Sequence, residues 1–200
     1  MHYAISHQVQ HYSFLSTTPR KKVLKHMLLR VDQGLALLKL GKTEYAVEAG
    51  QTVWIPFDSL CSLTFFPNTH IQRIEVSSRV TSRLPKQGGF VQLNELCTAL
   101  LNRLGEQQQA HEKTVPMLAV FKQELSLLAP ELNESEMTQA INHWKVDVKS
   151  TLSSEVQLVL KMREAGKRML SGQKQAQVVA DLFGNQMEAY LQLRSALLGE

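Results

Sequence analysis

The chain has 200 residues, 44% hydrophobic and 20% charged, which gives enough apolar material for a packed core and too much for intrinsic disorder. No run approaches the ~20 consecutive apolar residues of a membrane-spanning helix. The opening MHYAISHQVQHYSFL alternates polar with apolar residues instead of forming a signal-peptide core, so a cytoplasmic chain without a membrane partner is expected. The net charge of +4 is unevenly spread: residues 1–86 hold 11 Lys/Arg and 5 Asp/Glu, residues 87–200 hold 11 and 13. That balance permits nucleic acid as a partner without demonstrating it. Cys61 and Cys97 lie in different halves without metal-type spacing, which implies neither a disulfide nor a zinc site. Both are expected as buried thiols, and no Lys, Arg or His flanks Cys61 to lower its pKa.

Up to residue 86, short runs rich in β-branched and aromatic residues are bounded by turn residues. Strands are predicted over 23–31, 35–40, 44–47, 52–55, 62–66 and 71–76, with turns at Asp32-Gln33-Gly34, Leu40-Gly41-Lys42, Glu48-Ala49-Gly50 and Pro67-Asn68-Thr69. Spacing this close implies hairpins in a small sandwich or barrel. The basic run from Arg20 to His26 reads as a solvated strand edge, where charge discourages sheet-to-sheet pairing.

Pro85-Lys86-Gln87-Gly88-Gly89 is the clearest breaker cluster, and beyond it the apolar period changes from two to about 3.6. Leu93, Leu96, Cys97, Leu100, Leu101 and Leu104 form one stripe on a helix ended by Gly105. Glu106 to Gln109 reads as a solvated loop. Thr114 and Pro116 start a second helix, 115–128, with Leu118, Phe121, Leu125 and Leu128 on its buried face and Pro130 as its stop. Asn133 or Ser135 caps a third helix running to about Trp144, and Ser153 or Ser154 caps a long fourth running to about Leu170. The class is α+β, with three expected regions: 1–86, 87–132 and 133–200.

The segment from Ala176 to Gln192 carries the requirements of a helix-turn-helix: a small residue at the crossing, a glycine in the turn and an apolar wedge. Ala180 is read as the crossing residue, Gly184 as the turn, and Val179, Phe183, Tyr190 and Leu193 as the wedge. The two helices should span about 175–183 and 187–198. Just upstream, Lys161, Arg163, Lys167, Arg168 and Lys174, with Glu164, make a local charge of +4 suited to phosphates. An ordinary solvated helix face is the alternative reading of those cations.

Gly34 to Pro56, and within it Gly50-Gln51-Thr52-Val53-Trp54-Ile55-Pro56, resembles the cupin-like sensing and dimerisation half of AraC-type regulators. Residues 160–184 resemble that family's second helix-turn-helix with its leading helix, and Ser82-Arg83-Leu84-Pro85 with the two helices after it resemble its linker. The resemblance implies a cupin-like β-barrel or sandwich, linker helices and a DNA-binding domain. Here that domain is shortened, because only about 65 residues follow the linker where the family has about a hundred. It implies base contacts from Gln186, Glu188 and Gln192, next to Gln175 and the single cation of the recognition helix, Arg194. Gln can pair bidentately with adenine, whereas Glu188 accepts only from cytosine and repels phosphate. With Gly34 as the cupin glycine, the metal-ligand positions fall on Leu40 and Lys42, and there is no His-x-His, so no metal, cofactor or catalytic residue is expected. Cys61 stands where relatives resembling this barrel usually carry histidine, and Trp54 is read as core. Three functions follow: a DNA-binding regulator that dimerises or senses a small molecule through the barrel; an interaction protein of the same descent that modulates a full-length regulator without touching DNA; and, least supported, an enzyme or small-ligand carrier built on the cupin barrel, for which no nucleophile with a positioned base is found.

Overall fold

The computed structural model describes residues 4–81, 83–106 and 111–199, without the side chains of 111–113. Ser82 of the linker motif and most of the polar 106–109 loop lie outside the described residues. Two antiparallel sheets pack face to face. One has the order β1 (Ile5–Tyr12), β9 (Thr69–Ser77), β4 (Lys25–Gln33), β7 (Thr52–Ile55), β10 (Gly89–Phe90). The other runs β2 (Ser16–Thr17), β8 (Leu60–Phe65), β5 (Leu35–Leu40), β6 (Thr43–Glu48), with β3 (Lys21–Lys22) also on β8. The helical half contains α1 (Glu95–Gly105), α2 (His111–Glu124), α3 (Glu136–His143), α4 (Ser154–Leu170), α5 (Gln175–Phe183) and α6 (Met187–Leu198).

Side-chain alternation sends Met27, Leu29, Val31, Ala36, Leu38, Val53 and Ile55 into the space between the sheets. The opposite faces are also covered. Leu28, Trp54 and Ile74 pack beneath Leu101, Phe121 and Leu125 of the α1–α2 layer. Leu35, Leu37 and Ala46 pack beneath Ile141, Val159 and Leu160 of α3 and α4. Burial on both faces is why Met27-Leu28-Leu29 and Leu35-Ala36-Leu37-Leu38 are continuous apolar runs without polar alternation. Trp54 is fully buried, as core, under the helices and outside the inter-sheet space, and its indole N–H donates to the Pro85 carbonyl at 3.0 Å.

Several boundaries move. β1 was not predicted; it pairs along its full length with β9. The breaker cluster does not leave the sandwich cleanly, because Gly89–Phe90 returns to pair with Trp54 and Val53. α1 starts after Leu93, since Asn94 caps it by accepting from the Cys97 N–H at 2.8 Å. Its stripe narrows to Cys97, Leu101 and Leu104, leaving Leu96 45% exposed. Pro116 sits inside α2, not at its start, and Leu125–Leu127 form a 3-10 turn. Leu118, Phe121 and Leu125 are nevertheless the buried face. Ser135 and Ser153 are the caps of α3 and α4, each accepting from a backbone N–H three residues on.

Candidate nucleic-acid interface

α4 delivers the chain to the α5–α6 pair. One of its faces, Met162, Ala165 and Met169, packs with Val178, Val179 and Leu182 of α5 and with Tyr190 of α6. Gly184 ends α5 in the left-handed region (φ 58°), a conformation costly for residues with a Cβ, and its N–H closes the helix on the Val179 carbonyl. Tyr190 is fully buried, its ring 5.2 Å from that of Phe183, and Leu193 packs against the same cluster. Val179, Phe183, Tyr190 and Leu193 thus pack in one apolar cluster with α4. Ala180 does not: it is exposed, because the buried stripe of α5 is Val178, Val179 and Leu182, and position 180 turns away from it. The small, fully buried residue of this cluster is Ala165 on α4.

The unit is tied to the sandwich. The Leu15 N–H donates to the Leu197 carbonyl at the end of α6 at 2.7 Å. α3 lies along the free edge of β6, where the Ala46 N–H donates to Thr138 Oγ1 at 3.0 Å and the Glu44 N–H donates to Asn142 Oδ1 at 3.0 Å. Asn142 Nδ2 donates back to the Glu44 carbonyl at 2.9 Å, so one side chain imitates a neighbouring strand. From α4, Arg163 reaches Glu44 with contacts of 2.8 and 3.3 Å. Burial pushes the Glu44 carboxyl up, but hydrogen bonding and charge from Arg163 outweigh it and hold the group below its ordinary value.

The upstream cations do not form one surface: Arg163, Lys167 and Arg168 line one cleft beside the sandwich, and Lys161 and Lys174 do not. Arg163 is committed to Glu44, and Arg168 pairs with Glu164 at 3.0 Å and with Asp181 at 3.7 Å. Lys161 Nζ sits 5.5 Å from the centre of the Phe183 ring. Lys174, at the cap of α5, and Gln175 are exposed, as are Gln186, Glu188 and Gln192 on α6; Arg194 is half-buried. Gln175 Nε2 lies 3.7 Å from Met187 Sδ. The outward face of α6 is thus polar and apolar more than basic, with Met187 and Leu191 both substantially exposed.

Sequence reasoning missed Lys39, Lys42, Trp144 and Lys145, which the β5–β6 hairpin and the segment after α3 bring next to Lys167. The hairpin lysines lie more than a hundred residues from Lys145 and Lys167 along the chain, and no periodicity signals that pairing. Both cysteines are buried. Burial raises the Cys61 thiol, and burial together with the Glu124 charge pushes Cys97 up to about 11, so neither is a thiolate at neutral pH.

No family model matches the chain, and no curated protein matches it. Among solved structures, an apo ToxT variant from Vibrio cholerae is 11% identical over 100% of this chain and 95% of its own, with a TM-score of 0.47. Another crystal form of Vibrio cholerae ToxT is 12% identical over 98% of this chain and 95% of its own, with a TM-score of 0.42. A cupin superfamily protein from Desulfitobacterium hafniense is 8% identical over 39% of this chain and 72% of its own, with a TM-score of 0.36. The chain itself is a two-sheet antiparallel sandwich followed by an all-α region whose last two helices, α5 and α6, are joined through the Gly184 turn. Among the described residues, no helix is long and apolar enough to cross a membrane.

Proposed function

We propose that the chain is a non-enzymatic transcriptional regulator of AraC-like build, in which residues 1–86 form the sensing or dimerisation sandwich, 87–132 the linker, and 133–200 a shortened domain that contacts double-stranded DNA. The observation that carries this reading is the α5–α6 unit: a left-handed Gly184 turn, a fully buried Tyr190 wedge, and Gln186, Glu188 and Gln192 outward on the second helix. Gln186 and Gln192 supply base-edge hydrogen bonds, Lys174 supplies a phosphate contact at the start of the unit, and Arg194 is a cation on the same helix as Gln192. Arg163 and Arg168 are spent on carboxylates, so the salt dependence is shallow: two or three neutralised phosphates give a log K against log salt slope of about −2 to −3. Retardation of a duplex carrying the DNA upstream of the chain's own coding sequence tests this. The wild type should shift it in low salt, and Lys174→Glu should weaken the shift several-fold. An unchanged shift in that variant would remove the assigned surface.

A second reading is favoured by one observation. Met187 and Leu191 lie one turn apart and exposed on α6, and Leu170 at the end of α4 is 92% exposed. An apolar face of this kind suits pairing with another protein better than a phosphate backbone. In that reading the chain binds a full-length regulator and modulates it. Co-purification with such a regulator, without DNA retardation by the chain itself, selects it.

A further inference from the structure

We propose that the cleft between the β5–β6 hairpin, the segment after α3 and the inner face of α4 binds a small polyanion, a molecule carrying two or more phosphate or carboxylate groups. The cleft has a volume of about 560 Å³. Its basic side chains come from three separate places: Lys39 and Lys42 from the hairpin, Lys145 from the segment after α3, and Lys167 from α4. Two further cations at the cleft, Arg163 and Arg168, are neutralised by Glu44 and Glu164. None of the four lysines makes an ion pair among the described residues.

The six cations at the cleft outnumber its two carboxylates, Glu44 and Glu164, by four, and although Lys39 and Lys167 are close enough to Glu44 to help lower its carboxyl, the surplus positive charge is a self-repulsion. An anion seated there relieves it, and a polyanion relieves it at several groups at once. Shape separates this ligand from a duplex. The lysines line a concave space together with the Glu44–Arg163 pair and half-buried Trp144, whereas a DNA backbone needs cations on an outward surface. The position has a consequence. A ligand touching Lys42 and Lys167 together bridges the sandwich and the helix that leads into the α5–α6 unit, so its occupancy stiffens the junction between them. This inference stands whether or not α6 touches DNA.

Isothermal titration calorimetry of the full chain with inorganic tripolyphosphate in low salt is the test, with orthophosphate as the low-charge comparison. Tripolyphosphate is expected to bind saturably at one site per chain, at least tenfold tighter than orthophosphate, and more weakly as salt rises. Lys42→Ala/Lys145→Ala removes two exposed lysines that are not part of the proposed DNA surface. At about fivefold per lysine–phosphate contact in water, the double variant should bind roughly 25-fold more weakly, with a melting temperature no lower than wild type and duplex retardation unaltered. Weak, non-stoichiometric uptake that is equal in wild type and double variant would overturn the proposal. So would displacement of tripolyphosphate by a duplex, together with an equal loss of duplex binding in Lys42→Ala/Lys145→Ala, because the lysines would then belong to the nucleic-acid surface. Failure of the DNA reading shows separately, in the Lys174→Glu retardation.

Discussion

The Glu44–Arg163 pair joins the edge strand of the sandwich to the helix that carries the helix-turn-helix, and its strength can be worked from its surroundings. Its side chains are 19% and 10% exposed, and the two contacts are 2.8 and 3.3 Å. Breaking a fully buried pair by removing one partner costs about 3–5 kcal/mol. Residual solvent access and the nearby Lys39 and Lys167 soften that here, so Arg163→Met or Glu44→Gln alone should cost about 2–3 kcal/mol. The double variant strands neither charge and should cost less than the two singles together, with a coupling of about 1–3 kcal/mol. Urea unfolding at neutral pH, followed by the fluorescence of Trp54 and Trp144, measures all four corners of this cycle. The pH dependence has a definite sign. Because the folded carboxyl lies below its ordinary value, the pair's contribution is complete above that ordinary value and is lost as pH falls through the depressed one. Acid destabilisation should therefore be shallower in Glu44→Gln. Single-variant costs that add within about 0.5 kcal/mol would refute the idea that these two groups hold the halves together.

Thr138→Val keeps volume but leaves the buried Ala46 N–H without an acceptor, and should cost about 1–3 kcal/mol in the same unfolding assay. Gly184→Ala places a Cβ at φ 58° and should cost about 1 kcal/mol, read as a lower melting temperature. His7 and His26 both have pKa values lowered by burial, and His26 Nδ1 accepts from the Phe57 N–H at 3.1 Å, a bond that protonation breaks. The unfolded chain binds more protons at these sites, so stability should fall as pH drops through about 6.5, and His26→Gln should flatten that slope.

Local chemistry was legible in the sequence wherever one element decides the outcome. β5 and β7 span the residues their apolar runs indicate, and α5 and α6 run between the breakers that bound them. β1 escaped because its His and Gln residues dilute the signal of Ile5 and Val9; it is an edge strand held by register with β9. The Ala-x-x-x-Gly spacing pointed to Ala180, but spacing cannot say which stripe of a helix is covered. Packing against α4 selects Val178, Val179 and Leu182 and uses Ala165 as the small residue. Charge misled for a similar reason. Lys161 through Lys174 sum to a basic patch along the chain, yet Arg163 finds its carboxylate 119 residues away in β6, and Lys167 turns toward the lysines of a hairpin. Partners at such separation leave no periodic trace.

A chain that reads DNA must turn α6 toward the duplex when it works. A photo-crosslinking amino acid at position 192, in the full chain mixed with the upstream duplex, reports that directly. Crosslinks to the bases of that duplex, lost on raising the salt, are the predicted result. Crosslinks to a protein partner alone, with none to DNA at low salt, would contradict it and leave the chain as a partner of a regulator and not a reader of DNA.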